Sequence, residues 1–234
     1  MPDRPGGGPL GIFGGTFDPV HFGHLRLAEE AIDCLGLAAV RWIPAGQPAL
    51  RGAPQVTARQ RLAMVRLATA DNPRFAVDAA EVEAARASYT VPTLERLRQA
   101  DQCGAQRPLV LLLGADAFAR LESWHRWREL FDLAHVAVAT RPGHDMKVMR
   151  SGIPWDGAGD TALAGEFAAR LGVAADLAAA PAGRIVPFAI TALEVSATAV
   201  RERLARGLSV RYLVPDPVLD YIESHQLYRT PHGH

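Results

Sequence analysis

The sequence predicts an α/β protein with a doubly wound, Rossmann-like parallel sheet flanked by helices, completed by a small C-terminal helical part. Three observations carry this. Short runs such as Leu109-Val110-Leu111-Leu112-Leu113 are apolar throughout, as strands buried on both faces are. These runs alternate with helix-period segments. The first of them ends in Gly14-Gly15 and leads straight into a helix.

In chain order, Leu10–Phe13 is the first strand. A polar turn follows from Thr16 to Gly23, then a helix from about His24 to Leu35, closed by Gly36. Ala39–Ile43 is the second strand, stopped by Pro44. Thr57-Ala58-Arg59-Gln60 is a capping box opening an amphipathic helix with Leu62, Val65 and Leu67 inside its run. Phe75–Val77 is a third strand, and Thr90–Gln99 a helix. Leu109–Leu113, His135–Ala139 and Arg184–Pro187 are the remaining strands. Residues 143–183 are rich in Gly, Ala and Asp and read as a variable insertion whose one periodic piece is Ala164–Leu171. Two short helices close the chain, about Thr198–Arg206 and Pro217–Ser224, the second with Asp216 as N-cap before a proline at N1. The expected organisation is a flexible tail over residues 1–9, an α/β domain over 10–195, and a helical part over 196–234.

The 234 residues carry 25 basic and 25 acidic side chains, for a net charge of zero. That argues against nucleic-acid binding through a basic face. Lys147 is the only lysine, so a site that needs a cation must use Arg, His or a metal. No run of 18 apolar residues exists, which excludes a helical membrane span, and Met1–Pro9 lacks the apolar core of a signal peptide. Cys34 and Cys103 lie far apart without zinc spacing, which predicts reduced, packing thiols and a cytoplasmic location.

Two constellations carry chemistry. The first is Gly14-Gly15-Thr16-Phe17-Asp18-Pro19-Val20-His21-Phe22-Gly23-His24, between the first strand and its helix. Ligands of open parallel sheets sit there. Glycines admit a phosphate to the backbone, and the helix start offers free N–H groups. Two imidazoles can donate to phosphate oxygens as charge builds. A tight turn with surface histidines is the plainer reading, and His-x-x-His without further ligands is weak for zinc. The second is Ser196-Ala197-Thr198-Ala199-Val200-Arg201, where hydroxyls, helix N–H groups and a guanidinium would form an anion site, or merely a cap.

The first string resembles the GGTFDPxHxGH signature of the HxGH nucleotidyltransferase superfamily. The second resembles its ISxTxxR motif, with Val195 for isoleucine. Arg211–Pro215, Tyr221-Ile222 and Leu227-Tyr228 further resemble the bacterial nicotinate mononucleotide adenylyltransferases, and the likeness spans nearly the whole chain, poorest over 143–183. It implies ATP contacts at Gly14, Gly15, Thr16, Phe17, His21, His24, Ser196, Thr198 and Arg201, with His21, His24 and Arg201 catalytic. Ser88-Tyr89-Thr90-Val91-Pro92-Thr93-Leu94 matches the family's SYTxxTL, and Gly114-Ala115-Asp116 its G-x-D. Its T-W-Y stands here as Ser123-Trp124-His125. These imply mononucleotide contacts at Ser88, Tyr89, Thr90, Asp116 and Trp124, joined by Arg141 of an Arg-Pro-Gly. By composition alone, Trp124, Trp127 and Tyr89 could be core and Asp116 a cap. Where many members have Pro-Pro-His-Lys/Arg, this chain reads Pro48-Ala49-Leu50-Arg51, keeping only Arg51 as a phosphate contact.

The implied reaction moves AMP from ATP to nicotinate mononucleotide, with Mg2+ carried by ATP and no dedicated metal site. Its partners are those two substrates; a homo-oligomer is compatible with the sequence. Rival readings keep the fold with the amidated mononucleotide, phosphopantetheine or a cytidylyl acceptor, or make the chain a non-catalytic nucleotide sensor.

Overall fold

A computed structural model describes residues 7–48, 52–84, 86–99, 103–140 and 161–229. Six parallel strands form one sheet: β1 (Leu10–Gly15), β2 (Ala39–Pro44), β4 (Phe75–Val77), β6 (Leu109–Gly114), β7 (His135–Thr140) and β8 (Ile185–Ala189), in the order β4-β2-β1-β6-β7-β8. Counting only these strands, that is 3-2-1-4-5-6, and the order reverses between β1 and β6. All six expected strands are present. A two-residue pair that sequence did not predict, β3 (Gln47–Pro48) and β5 (Ala87–Ser88), forms a second small parallel sheet.

The helices are α1 (Phe22–Leu35), α2 (Ala58–Thr69), α3 (Ala80–Glu83), α4 (Thr90–Leu97), α5 (Ala115–Phe118), α6 (Leu130–Leu133), α7 (Ala162–Arg170), α8 (Ala197–Ala205) and α9 (Asp216–Ser224). Alternate strand residues face two cores, because side chains of a strand alternate in direction. Phe13, Trp42, Val110 and Leu112 pack with α1, α2, α8 and α9. Leu10, Ile12, Leu109, Leu111 and Leu113 pack with α4 to α7.

Local signals hold with two shifts, at the N-cap of α9 and at Cys34. Gly36 closes α1 at φ 64, and Thr57 with Gln60 forms the capping box of α2. Pro215, not Asp216, is the N-cap of α9, which puts Asp216 inside the first turn. Leu67 lies within α2 as expected and is 37% exposed, two residues past the buried Val65 and so on the far side of the helix. Cys34 is exposed rather than packed, whereas Cys103 leans on the second core. Of the predicted insertion, residues 161–183 hold α7 and a 3-10 turn, Ala174–Ala178. Residues 141–160, the tail over 1–6, and Arg51 and Arg141 with them, lie outside the described residues.

Two buried or half-buried ions bind the frame together. Arg98, the C-cap of α4, donates to the carbonyls of Leu133, Gly104, Ala105, Arg107 and Pro181. Glu30 of α1 accepts from the N–H and hydroxyl of Thr191, at 2.7 and 2.6 Å, and so fixes the segment that runs from β8 towards α8.

Candidate active site

The chain after β1 folds over an aromatic floor. Phe17 adopts φ 50, a left-handed conformation that costs a non-glycine residue energy. Burial offsets that cost: its ring lies edge-on to Phe13 at 5.5 Å and to His24 at 5.1 Å, and 5.4 Å from Trp42. His21 is the N-cap of α1, and its backbone N–H donates to Nδ1 of His24 at 3.3 Å. A neutral His24 with Nδ1 accepting carries its proton on Nε2, which makes that nitrogen a donor. The two imidazoles stack at 3.7 Å. Gly23 leaves them room: a Cβ there would sit 3.1 Å from the His21 ring and 3.5 Å from the Val195 carbonyl.

His21 is 6% exposed, and its Nδ1 is buried with no hydrogen-bond partner among the described residues. Burial lowers its pKa to about 4, so the ring is neutral at pH 7. His135, wholly buried as the first residue of β7, is lowered as well, chiefly by burial; its Nε2 meets the Ala180 carbonyl and its Nδ1 the Arg184 N–H. Both are charged more readily in the unfolded chain, near pH 6.5. The unfolded state therefore binds more protons between pH 6.5 and 4, and stability is lost as pH falls through that window. Melting temperature should drop steadily from pH 7 to 4.5, with a shallower slope in His21→Gln; a flat profile would refute the assignment.

The second constellation sits against the first. Arg201 Nη1 donates to the Asp18 carbonyl at 2.7 Å and Nη2 to Thr198 Oγ1 at 3.3 Å, while its Nε is buried without a partner among the described residues. Ser196 is the N-cap of α8, with its Oγ accepting from Ala199 N–H at 3.1 Å. Both hydroxyls are on exposed residues, accept internally, and keep their own hydrogens to donate outward. Further clasps close the loop. Tyr228 donates to Asp18 Oδ1 at 2.7 Å, Gln55 N–H to Asp18 Oδ2 at 2.9 Å, and Phe22 N–H to the Leu213 carbonyl at 3.0 Å. Burial, with the Asp18 carboxylate beside it, pushes the Tyr228 hydroxyl pKa up, so the group stays a donor.

The residues that the resemblance assigns to the mononucleotide stand at the end of β5 and the start of α4 (Ser88, Tyr89, Thr90), after β6 (Asp116) and in the turn that follows α5 (Trp124). Asp116 is exposed in the first turn of α5, directly after β6. Tyr89 is the N-cap of α4, 36% exposed, with its ring 4.8 Å from His125. The His125 imidazole thus packs on Tyr89. Arg126 bonds Glu95 of α4 and Glu129, tying the Trp124–His125 turn to α4. Trp124 is half-buried with one part on the second core, and Trp127 is core. Thr90 opens α4, half-buried. Ser88 Oγ is occupied within the fold, accepting from Gly46 N–H at 2.9 Å.

Sequence reading did not single out Asp18, Arg61 or Tyr228. Asp18 lay inside the first motif, and Tyr228 inside the C-terminal run. Arg61, on a helix that begins with a polar turn, gave no signal.

A family model described as cytidylyltransferase-like matches residues 12–203. A protein of Dechloromonas aromatica named "Probable nicotinate-nucleotide adenylyltransferase" is 61% identical over 223 residues, covering 95% of this chain and 98% of the relative. The chain belongs to the nicotinate-nucleotide adenylyltransferases. A member of the same name from Pseudomonas putida (strain W619) is 47% identical over 95% of each chain. The fold of the family extends to the solved nicotinic acid mononucleotide adenylyltransferase of Plasmodium falciparum, complexed with NaAD, at 13% identity. Its TM-score is 0.66 over 94% of this chain and 97% of that one.

Proposed function

We propose that the chain transfers AMP from ATP to nicotinate mononucleotide, giving nicotinate adenine dinucleotide and pyrophosphate in NAD biosynthesis. The relatives' named activity supports this reading, and one observation carries it: the Arg201 bond to Asp18, which joins the two phosphate motifs into one anion site.

An acceptor phosphate oxygen attacks the α-phosphorus of ATP. The bond from that phosphorus to the oxygen bridging to the β-phosphate breaks, and pyrophosphate leaves with the electron pair. The acceptor phosphate is largely dianionic at pH 7, with a second pKa of about 6, so no protein base is required. The chain's work is alignment and charge stabilisation. The backbone of Gly14, Gly15, Thr16 and Phe17 lines the approach of ATP. His24 Nε2–H and His21 donate to phosphate oxygens, and Ser196, Thr198 and Arg201 receive the outer phosphates. Tyr89 and Trp124 flank the pyridine ring, with Ser88 and Thr90 at the helix start that reads its carboxylate, and Asp116 accepts from ribose hydroxyls. Arg141 and Arg51 are assigned to phosphate contacts by resemblance alone.

Among the described residues, no group of three or more His, Cys, Asp or Glu side chains could hold a metal ion. These donors do not fit a resident metal, and magnesium is assigned to the triphosphate itself. Among the described residues no helix is long and apolar enough to cross a membrane; a cytoplasmic location, a C-terminal part as a unit of its own, and a homo-oligomeric state remain readings of the sequence.

The test is pyrophosphate release from Mg-ATP with nicotinate mononucleotide, its amide, or neither. A strong preference for the acid is expected. Equal rates with the amide would make the acceptor pocket unselective, and silence with both would sink the reading.

A further inference from the structure

Arg61 is a buried cation that the proposed chemistry does not use. It lies in the first turn of α2, 1% exposed; the Asp18 carboxylate is near enough to favour its charge, but the two form no ion pair among the described residues. Burying a guanidinium is expensive unless its donors are bonded in good geometry. Its two terminal nitrogens divide between two loops: Nη1 donates to the Thr16 carbonyl at 2.7 Å and Nη2 to the Gly46 carbonyl at 2.9 Å. Thr16 belongs to the loop after β1 assigned to ATP. Gly46 follows β2, and its N–H donates to Ser88 Oγ, one residue before Tyr89. The main chain joins the same two loops once more, through Ala45 N–H to the Gly15 carbonyl at 2.9 Å.

We propose that Arg61 is a positioning residue whose planar fork sets the donor loop at Thr16 in register with the acceptor segment Gly46–Ser88–Tyr89. The inference rests on the assignment of those two loops to the two substrates. The reacting atoms must approach to about 3–3.5 Å in line, and a misplacement of about 1 Å can cost about 10²-fold in rate. Each half-site can still bind its own substrate when the register is lost. The signature is therefore a loss in kcat without a matching loss in either affinity.

Arg61→Lys keeps the charge on a single point donor, and Arg61→Gln keeps donors without the charge. The measurements are kcat by pyrophosphate release, the Kd of α,β-methylene-ATP and of nicotinate mononucleotide separately by calorimetry, and folding by circular dichroism. In both variants kcat should fall by at least ~10-fold, with each Kd within ~3-fold of wild type. Three results overturn the inference: kcat within ~2-fold in a folded variant, weaker ATP-analogue binding in Gln with kcat kept in Lys, or unfolding of both variants. The first denies any role, the second makes Arg61 a binding charge, and the third makes it a fold residue. Wild-type turnover is the separate control, because its absence refutes the assigned reaction rather than the role of Arg61.

Discussion

In the His24→Ala protein, turnover falls by about 10²–10³-fold while the fold survives, the usual cost of losing one preorganised donor to a developing charge. Three features converge on this side chain. The His21 N–H engages its Nδ1 and so dedicates Nε2 to donation. The Phe17 ring braces it edge-on at 5.1 Å. The stack with His21, which burial keeps neutral, prevents two adjacent cations from repelling each other. His24→Asn, which retains a donor of shorter reach, should fall between wild type and alanine. Single-turnover rates with saturating ATP and nicotinate mononucleotide check this. An alanine variant within ~3-fold of wild type would remove His24 from the chemistry.

Arg98→Met should lower the melting temperature by about 10 °C without altering kcat in the protein that remains folded. One side chain satisfies five carbonyls drawn from α6, the 104–107 turn and the segment before β8. Orphaned buried carbonyls cost about 1–3 kcal/mol each, and part of this set regains water, so a loss of about 3–5 kcal/mol is expected. For a chain of this size each kcal/mol is worth about 2–4 °C. Differential scanning calorimetry of wild type, Arg98→Lys and Arg98→Met should rank them in that order. A shift under ~3 °C for methionine would show that the cluster is not what holds that end of the sheet.

The sheet was legible because its strands are apolar on both faces, a pattern that only a doubly covered parallel sheet rewards. Gly36 and Thr57 were legible because a helix end and a capping box are local chemistry. The pair Gln47–Pro48 and Ala87–Ser88 was not, since two-residue strands carry no period. Arg61 was missed for a related reason: its partners lie 45 and 15 residues away, and nothing near it in sequence distinguishes a buried arginine from a solvated one. The motifs name candidate residues but not their bonds. Arg201 reads as a bare phosphate ligand, yet one arm is committed to the Asp18 carbonyl. Ser88 reads as a substrate contact, yet its oxygen serves Gly46. Which groups a hydroxyl or guanidinium satisfies is settled by elements that meet only in the folded chain.

The clasp of Tyr228 on Asp18 joins residues 210 positions apart in the chain. During synthesis the loop after β1 is therefore made about 210 residues before the side chain that secures it. A nascent chain can lay down β1, α1 and the histidine pair while the ribosome still holds the tyrosine that fixes them. The clasp therefore forms only once Tyr228 has been translated, and a product that stops before it would carry both histidines on a loop that lacks this bond.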